Sequence, residues 1–168
     1  HQKPLIEAVW ELGGAVYFHK LVHLEYQKTN GIITRAVVKP VGIMCSEYYF
    51  YLIAYIGERD KKYPGYPTVY RIDRVREFKV TEENFAIPYK DRFEEGEFRK
   101  RIPFMYTGKL HKTSFTYRGP DINAVLDRLP TAKVISQDAE GWLIEAEVFG
   151  KGIEMWLRSQ GNYVTYTT

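Results

Sequence analysis

The 168 residues carry 24 Lys+Arg against 21 Asp+Glu, a formal net charge of +3, with 45% hydrophobic and 27% charged residues. That balance is globular rather than disordered, and the length allows one comfortable domain or two small ones. One cysteine, Cys45, excludes an internal disulfide framework and a Cys-rich zinc site, and no apolar run approaches the roughly 20 residues that span a bilayer.

Pro4 suits a first helical turn, and Leu5, Val9 and Leu12 recur at i, i+4 and i+7, predicting a helix from Pro4 to about Tyr17 with an end weakened by Gly13-Gly14. The period then changes to two. Val22, Leu24 and Tyr26 alternate with His23, Glu25 and Gln27 in a half-buried strand, and Asn30-Gly31 supplies a tight hairpin turn. The return strand is expected from Ile32 to Lys39, stopped by Pro40. Tyr48 to Ile56 is too continuously apolar for a solvent-faced strand and is expected to be central, with Phe50, Leu52, Ala54 and Ile56 on one face and Tyr49, Tyr51, Ile53 and Tyr55 on the other. Residues 61–67 form a Pro/Gly loop, and two more strands, 69–72 and 75–80, join near Asp73-Arg74. Five short strands in about 60 residues predict a small closed barrel, because closure removes exposed edges.

Residues 83–111 are expected to be a charged connector with one helical stretch. A second unit over 112–168 follows. Its first strand is Thr113 to Tyr117, and Asp121 caps a helix striped by Ile122, Val125, Leu126 and Leu129. Strands 132–136 and 142–148, a helix from Lys151 to Ser159 and a last strand, 163–166, complete the order βαββαβ, that of a ferredoxin-like layer.

The catalytic and metal templates find nothing. There is no Gly-x-Ser-x-Gly elbow, His-Glu-x-x-His or P-loop, so no enzyme, cofactor or metal is expected. Gly150-Lys151-Gly152 reads as a helix entry turn rather than an anion site. His19 and His23 should not share a helical face, because the strand period has begun by His23. Cys45 reads as a quiet thiol.

The positive signal is basic residues interleaved with aromatics. The chain has 3 Trp, 14 Tyr and 9 Phe. Between Arg59 and Lys79 stand seven basic residues (Arg59, Lys61, Lys62, Arg71, Arg74, Arg76, Lys79) against three acidic ones (Asp60, Asp73, Glu77). Residues 1–111 carry a net +4 and residues 112–168 a net −1, so the positive field belongs to the first part of the chain. Arginine binds phosphate bidentately and tyrosine stacks on bases, a pairing suited to single-stranded nucleic acid or a nucleotide. Arg71 and Arg74 would face opposite ways on a flat strand. A bend at Asp73 would bring both to one rim, whereas the plainer expectation is that Asp73 forms surface ion pairs with its neighbours.

These residues resemble the WYL domain family. Phe50-Tyr51-Leu52 stands where the Trp-Tyr-Leu signature would lie, and Tyr70-Arg71-Ile72-Asp73-Arg74-Val75 is similar to the family's Phe-Arg-Leu-Asp-Arg-Ile run. Leu24-Glu25-Tyr26 and Arg35-Ala36-Val37-Val38-Lys39-Pro40 match upstream, and Trp156 to Gly161 resembles the close of the C-terminal extension that often follows such domains. The resemblance implies an α+β chain: an Sm/SH3-like five-stranded barrel with a leading helix over 1–82, then the extension. It implies a cytoplasmic, homodimeric bacterial transcription regulator that senses a nucleic acid or nucleotide-like effector and binds DNA through an upstream helix-turn-helix. The chain opens on His1-Gln2-Lys3-Pro4 rather than Met, which fits part of a longer protein. Carried onto matching positions, Tyr26, Arg35, Tyr51, Arg71 and Arg74 are the expected ligand contacts. Phe50 in place of Trp loses an indole N–H donor. The alternative is a stand-alone nucleic-acid-binding accessory protein that modulates a nuclease or other effector.

Overall fold

The computed structural model describes residues 4–57, 66–86 and 93–166. The chain divides into two compact units, His1–Phe93 and Glu94–Thr168.

The first unit opens with α1 (Leu5–Phe18), which ends where His19 takes a left-handed conformation (φ 53°) and its N–H reaches back to Ala15 and Val16. Five antiparallel strands follow: β1 (Lys20–Gln27), β2 (Ile33–Ser46), β3 (Tyr49–Ile56), β4 (Thr68–Arg71) and β5 (Val75–Asn84). The β1–β2 hairpin turns at Gly31, φ 83°, where the Asn30 side chain accepts the Ile32 N–H at 3.0 Å. Pro40 does not stop β2. It sits at a register shift between Pro40 and Gly42, a bulge where a missing N–H does least harm to the ladder. β2 pairs with β1 through residues 33–38 and with β3 through residues 38–46, so one long strand serves two neighbours.

The sheet order is β4-β3-β2-β1-β5. The expected closed barrel is not formed among the described residues, because β4 and β5 are the two edges and no ladder joins them. β4 has only four residues, and the 3₁₀ turn Ile72–Arg74 redirects the chain before β5 begins, dropping Ile72 into the core. The core gathers Ala8, Leu12 and Ala15 of α1 against Val22, Leu24, Val38, Leu52, Ala54, Tyr70, Ile72 and Val75. β3 is internal, as its sequence predicts: Leu52 and Ala54 face this core, while Ile53 is fully buried on the other side.

The second unit has the expected order βαββαβ: β6 (Leu110–Tyr117), α3 (Ile122–Arg128), β7 (Lys133–Asp138), β8 (Gly141–Phe149), α4 (Gly152–Ser159) and β9 (Val164–Tyr166), preceded by α2 (Glu95–Lys100). Its antiparallel sheet is ordered β7-β8-β6-β9. Phe115, Ile144, Ala146, Val148, Ile153, Trp156 and Leu157 form its core. Asp121 caps α3 as expected, accepting the Asn123 N–H at 3.0 Å. Part of the stretch 83–111 also folds here. Arg101 donates to Glu147 and Glu97, each at 2.7 Å, and its carbonyl accepts the Phe149 N–H. Gly150, φ 66°, lets two backbones meet, since a Cβ there would lie 2.6 Å from Thr107 carbonyl atoms. That is the physical content of the Gly150-Lys151-Gly152 turn.

Candidate functional site

The site is assembled at the paired ends of β3 and β4. Alternation along β3 puts Tyr49 and Tyr51 on one face, and the register sets Tyr51 directly across from Arg71, the last residue of β4. The 3₁₀ turn then carries Asp73 back toward Arg71. The Arg71 Nε donates to Asp73 Oδ1 at 3.0 Å and its Nη2 to Oδ2 at 2.6 Å, a two-bond fork. The same guanidinium lies over the Tyr49 ring, with Cζ 3.6 Å from the centroid. Tyr49 meets Tyr51 edge-on, centroids 6.5 Å apart. Tyr48, in the turn just before β3, is almost fully exposed.

Tyr26 belongs to this end in a different way. Its ring packs edge-on against Tyr70 at 5.0 Å, and its hydroxyl accepts the Arg71 backbone N–H at 3.1 Å. It therefore fixes the backbone that presents the guanidinium, while its own O–H hydrogen remains available to donate.

The electrostatics follow from the fork. The bonds from Arg71 hold the Asp73 carboxyl below its ordinary 3.8, against the opposing effect of burial, and Arg74 adds a smaller pull in the same direction. Asp73 in turn raises Arg71. Burial raises the Tyr51 hydroxyl, opposed by Arg71. Burial, with Tyr26 beside it, pushes Tyr70 up to about 12. One arginine is thus partly neutralised by its own neighbour. The fork and the stacking leave both Nη1 hydrogens and one on Nη2 outside the pair with Asp73.

Of the five residues expected from the sequence, Tyr26, Tyr51 and Arg71 are brought together, and Arg74 joins them through its effect on Asp73. Arg35 is not. It sits across from Glu25 on β2 and pairs with that carboxylate at 3.4 Å, its side chain 80% exposed. It lines a separate shallow groove of about 420 Å³ with His23, Glu25, Val37, Glu77 and Lys79. Tyr49 was absent from the expected contacts although its place two residues before Tyr51 puts it on the same face. Asp73, expected as a surface ion-pair partner, is indeed one, in a fork that also orients Arg71. Arg59, Lys61 and Lys62 lie outside the described residues. Among the described residues, no cluster of His, Cys, Asp and Glu is arranged to hold a metal ion, and no helix is long and apolar enough to cross a membrane.

The leading helix, the five-stranded sheet and its Tyr-Arg-Asp-Arg end make up one regulatory-type unit whose family the sequence comparison supplies. Residues 7–80 match the family model of the WYL domain, and the chain carries a WYL domain over that stretch. WYL domains are generally non-catalytic regulatory domains. Among solved structures the chain is similar to a CRISPR Cas-related protein, at 13% identity and a TM-score of 0.55, covering 98% of this chain and 46% of that one. It is also similar to proteasome accessory factor B/C (PafBC) of Arthrobacter aurescens, at 17% identity and a TM-score of 0.47, covering 99% of this chain and 25% of that one. The chain therefore spans from a quarter to just under half the length of these two proteins, and the likeness to the CRISPR Cas-related protein bears on fold alone. No curated protein matches the chain.

Proposed function

We propose that this chain is the ligand-sensing part of a WYL-type transcriptional regulator, and that it binds single-stranded nucleic acid or a nucleotide-like effector at the β3–β4 end. The observation that carries this reading is the Arg71 guanidinium, stacked on Tyr49 and forked to Asp73 with donors to spare. Stacking and the fork cut the rotamer freedom that a phosphate would otherwise have to quench. Tyr51 and Tyr48 offer ring faces beside it, and Arg74 supplies the excess positive charge. The effector's phosphate would take the free edge of Arg71 and the Arg74 side chain, and its base would stack on tyrosine. Binding then biases an attached DNA-binding module through its preference for one arrangement of the regulator.

The test is binding of a short fluorescent single strand across a salt series. Arg71→Ala is expected to weaken binding about tenfold to a hundredfold, the loss of a hydrogen bond to a charged group. Arg71→Ala and Arg74→Ala should each flatten the log–log salt slope by about 0.7. Unchanged affinity and slope in both variants would remove the site assignment.

A further inference from the structure

The outer face of the first sheet sorts its charges by row. Leu24 is buried in the core, and its ladder partners Ala36 on β2 and Phe78 on β5 pack against the same core. Alternation therefore turns the rows on either side outward. One row sets Glu25 between Arg35 and Glu77, and the other sets His23 between Val37 and Lys79. These two rows wall the groove of about 420 Å³, and the backbone of the middle row forms its floor.

Across β1 and β5 the pairing is the reverse of what the sheet's own stability favours. Glu25 faces Glu77 and His23 faces Lys79, although opposite charges placed across two strands stabilise them and like charges directly opposite destabilise them. Exchanging the side chains of residues 77 and 79 would make both cross-strand pairs complementary. The diagonal pairs, Glu25 with Lys79 and His23 with Glu77, are not formed either. Arg35 relieves Glu25 alone, at 3.4 Å and with its own side chain 80% exposed. Among the described residues, no side-chain hydrogen bond or ion pair engages His23, Glu77 or Lys79. The groove thus presents two carboxylate acceptors on one wall and two nitrogen donors on the other. Two residues of strand separate the walls, about 7 Å.

We propose that this groove binds a free α-amino acid with an aliphatic side chain, at a site separate from the β3–β4 end. The ligand's ammonium sits between Glu25 and Glu77, where its donors meet two acceptor-only groups and relieve their mutual repulsion. Its carboxylate takes the donors of Lys79 and His23. A charge-assisted hydrogen bond of about 2.8 Å at each end, added to the short ammonium-to-carboxylate span, bridges the walls. The aliphatic side chain lies against Val37, the apolar side chain of the two rows. A ligand with one charge only would satisfy one wall and leave the other uncompensated. The same carboxylates repel a nucleic acid phosphate, so the groove and the β3–β4 end take ligands of different chemistry.

Amide chemical shifts of the full chain during titration with L-leucine test this. Shifts should gather at His23, Glu25, Val37, Glu77 and Lys79, with a dissociation constant of about 1 mM or tighter. Isopentylamine lacks leucine's carboxylate, and isocaproate lacks its amine. Each should bind at least about tenfold more weakly, as loss of a hydrogen bond to a charged group does. Glu77→Gln should weaken leucine to a similar degree. The exchange variant Glu77→Lys/Lys79→Glu makes both cross-strand pairs complementary, so it should melt at or above the parent temperature and lose leucine binding. A parent whose groove shows no shift at about 10 mM leucine would overturn the proposal. So would either single-charge analogue matching leucine, or leucine affinity unchanged in Glu77→Gln or in the folded exchange variant.

Discussion

The tyrosines around Arg71 differ in how tightly they keep their protons. Tyr70 is raised from 10.0 to about 12, so the folded chain holds its proton more firmly than the unfolded chain does. Its contribution is complete below pH 10 and is lost as the pH rises from 10 toward 12, about 3 kcal/mol in all. Tyr70→Phe should remove the tyrosinate absorbance step near pH 12 and flatten the alkaline fall in stability. Asp73 works with the opposite sign. Its carboxyl lies below 3.8 in the fold, so its contribution is present above 3.8 and disappears as the pH falls through the lowered value. Asp73→Asn should abolish that acid limb in a pH series of denaturant melts. It also releases one net positive charge beside Arg71, and the salt slope for a single strand should steepen by about 0.7. Tyr26, Tyr51, Arg71 and Arg74 were legible because their motif order is carried in the sequence. The company Arg71 keeps was not, since it depends on a 3₁₀ turn that brings residue 73 back onto residue 71. Arg35 shows the converse: its neighbours in sequence say nothing of Glu25, which the antiparallel register places opposite it.

Among the elements, those with a local signal came out close to their expected bounds. Asp121 with the Ile122, Val125, Leu129 stripe announced α3, and the cap is made. Asp121→Ala should cost about 1 kcal/mol, read as a lowered midpoint for the second unit in denaturant melts. Elements whose fate depends on tertiary partners were less legible. Pro40 reads as a strand stop in isolation, yet β2 continues to Ser46 because β3 is there to pair with it and a bulge absorbs the proline. The inward face of α1 was also shifted. Leu5 is exposed and Ala8 and Ala15 are buried, because a helix apolar on opposite sides offers two equally good phases to the eye and only packing chooses between them.

For the molecule as a whole, the near-neutral charge concealed a division. The basic excess lies in residues 1–111, and the described part of it is spent unequally: Arg35 is paired with Glu25, Arg71 with Asp73, and Arg101 with Glu97 and Glu147. The two units have separate cores, and the first holds the WYL domain and its Tyr-Arg end. Where the effector binds is read by backbone amide chemical shifts followed during titration with a short single strand. Perturbations should concentrate on Tyr48, Tyr49, Tyr51, Arg71, Asp73 and Arg74, with the groove lined by His23, Arg35 and Lys79 left unmoved. Shifts gathered in that groove instead, with Arg71 and its neighbours silent at saturation, would contradict it.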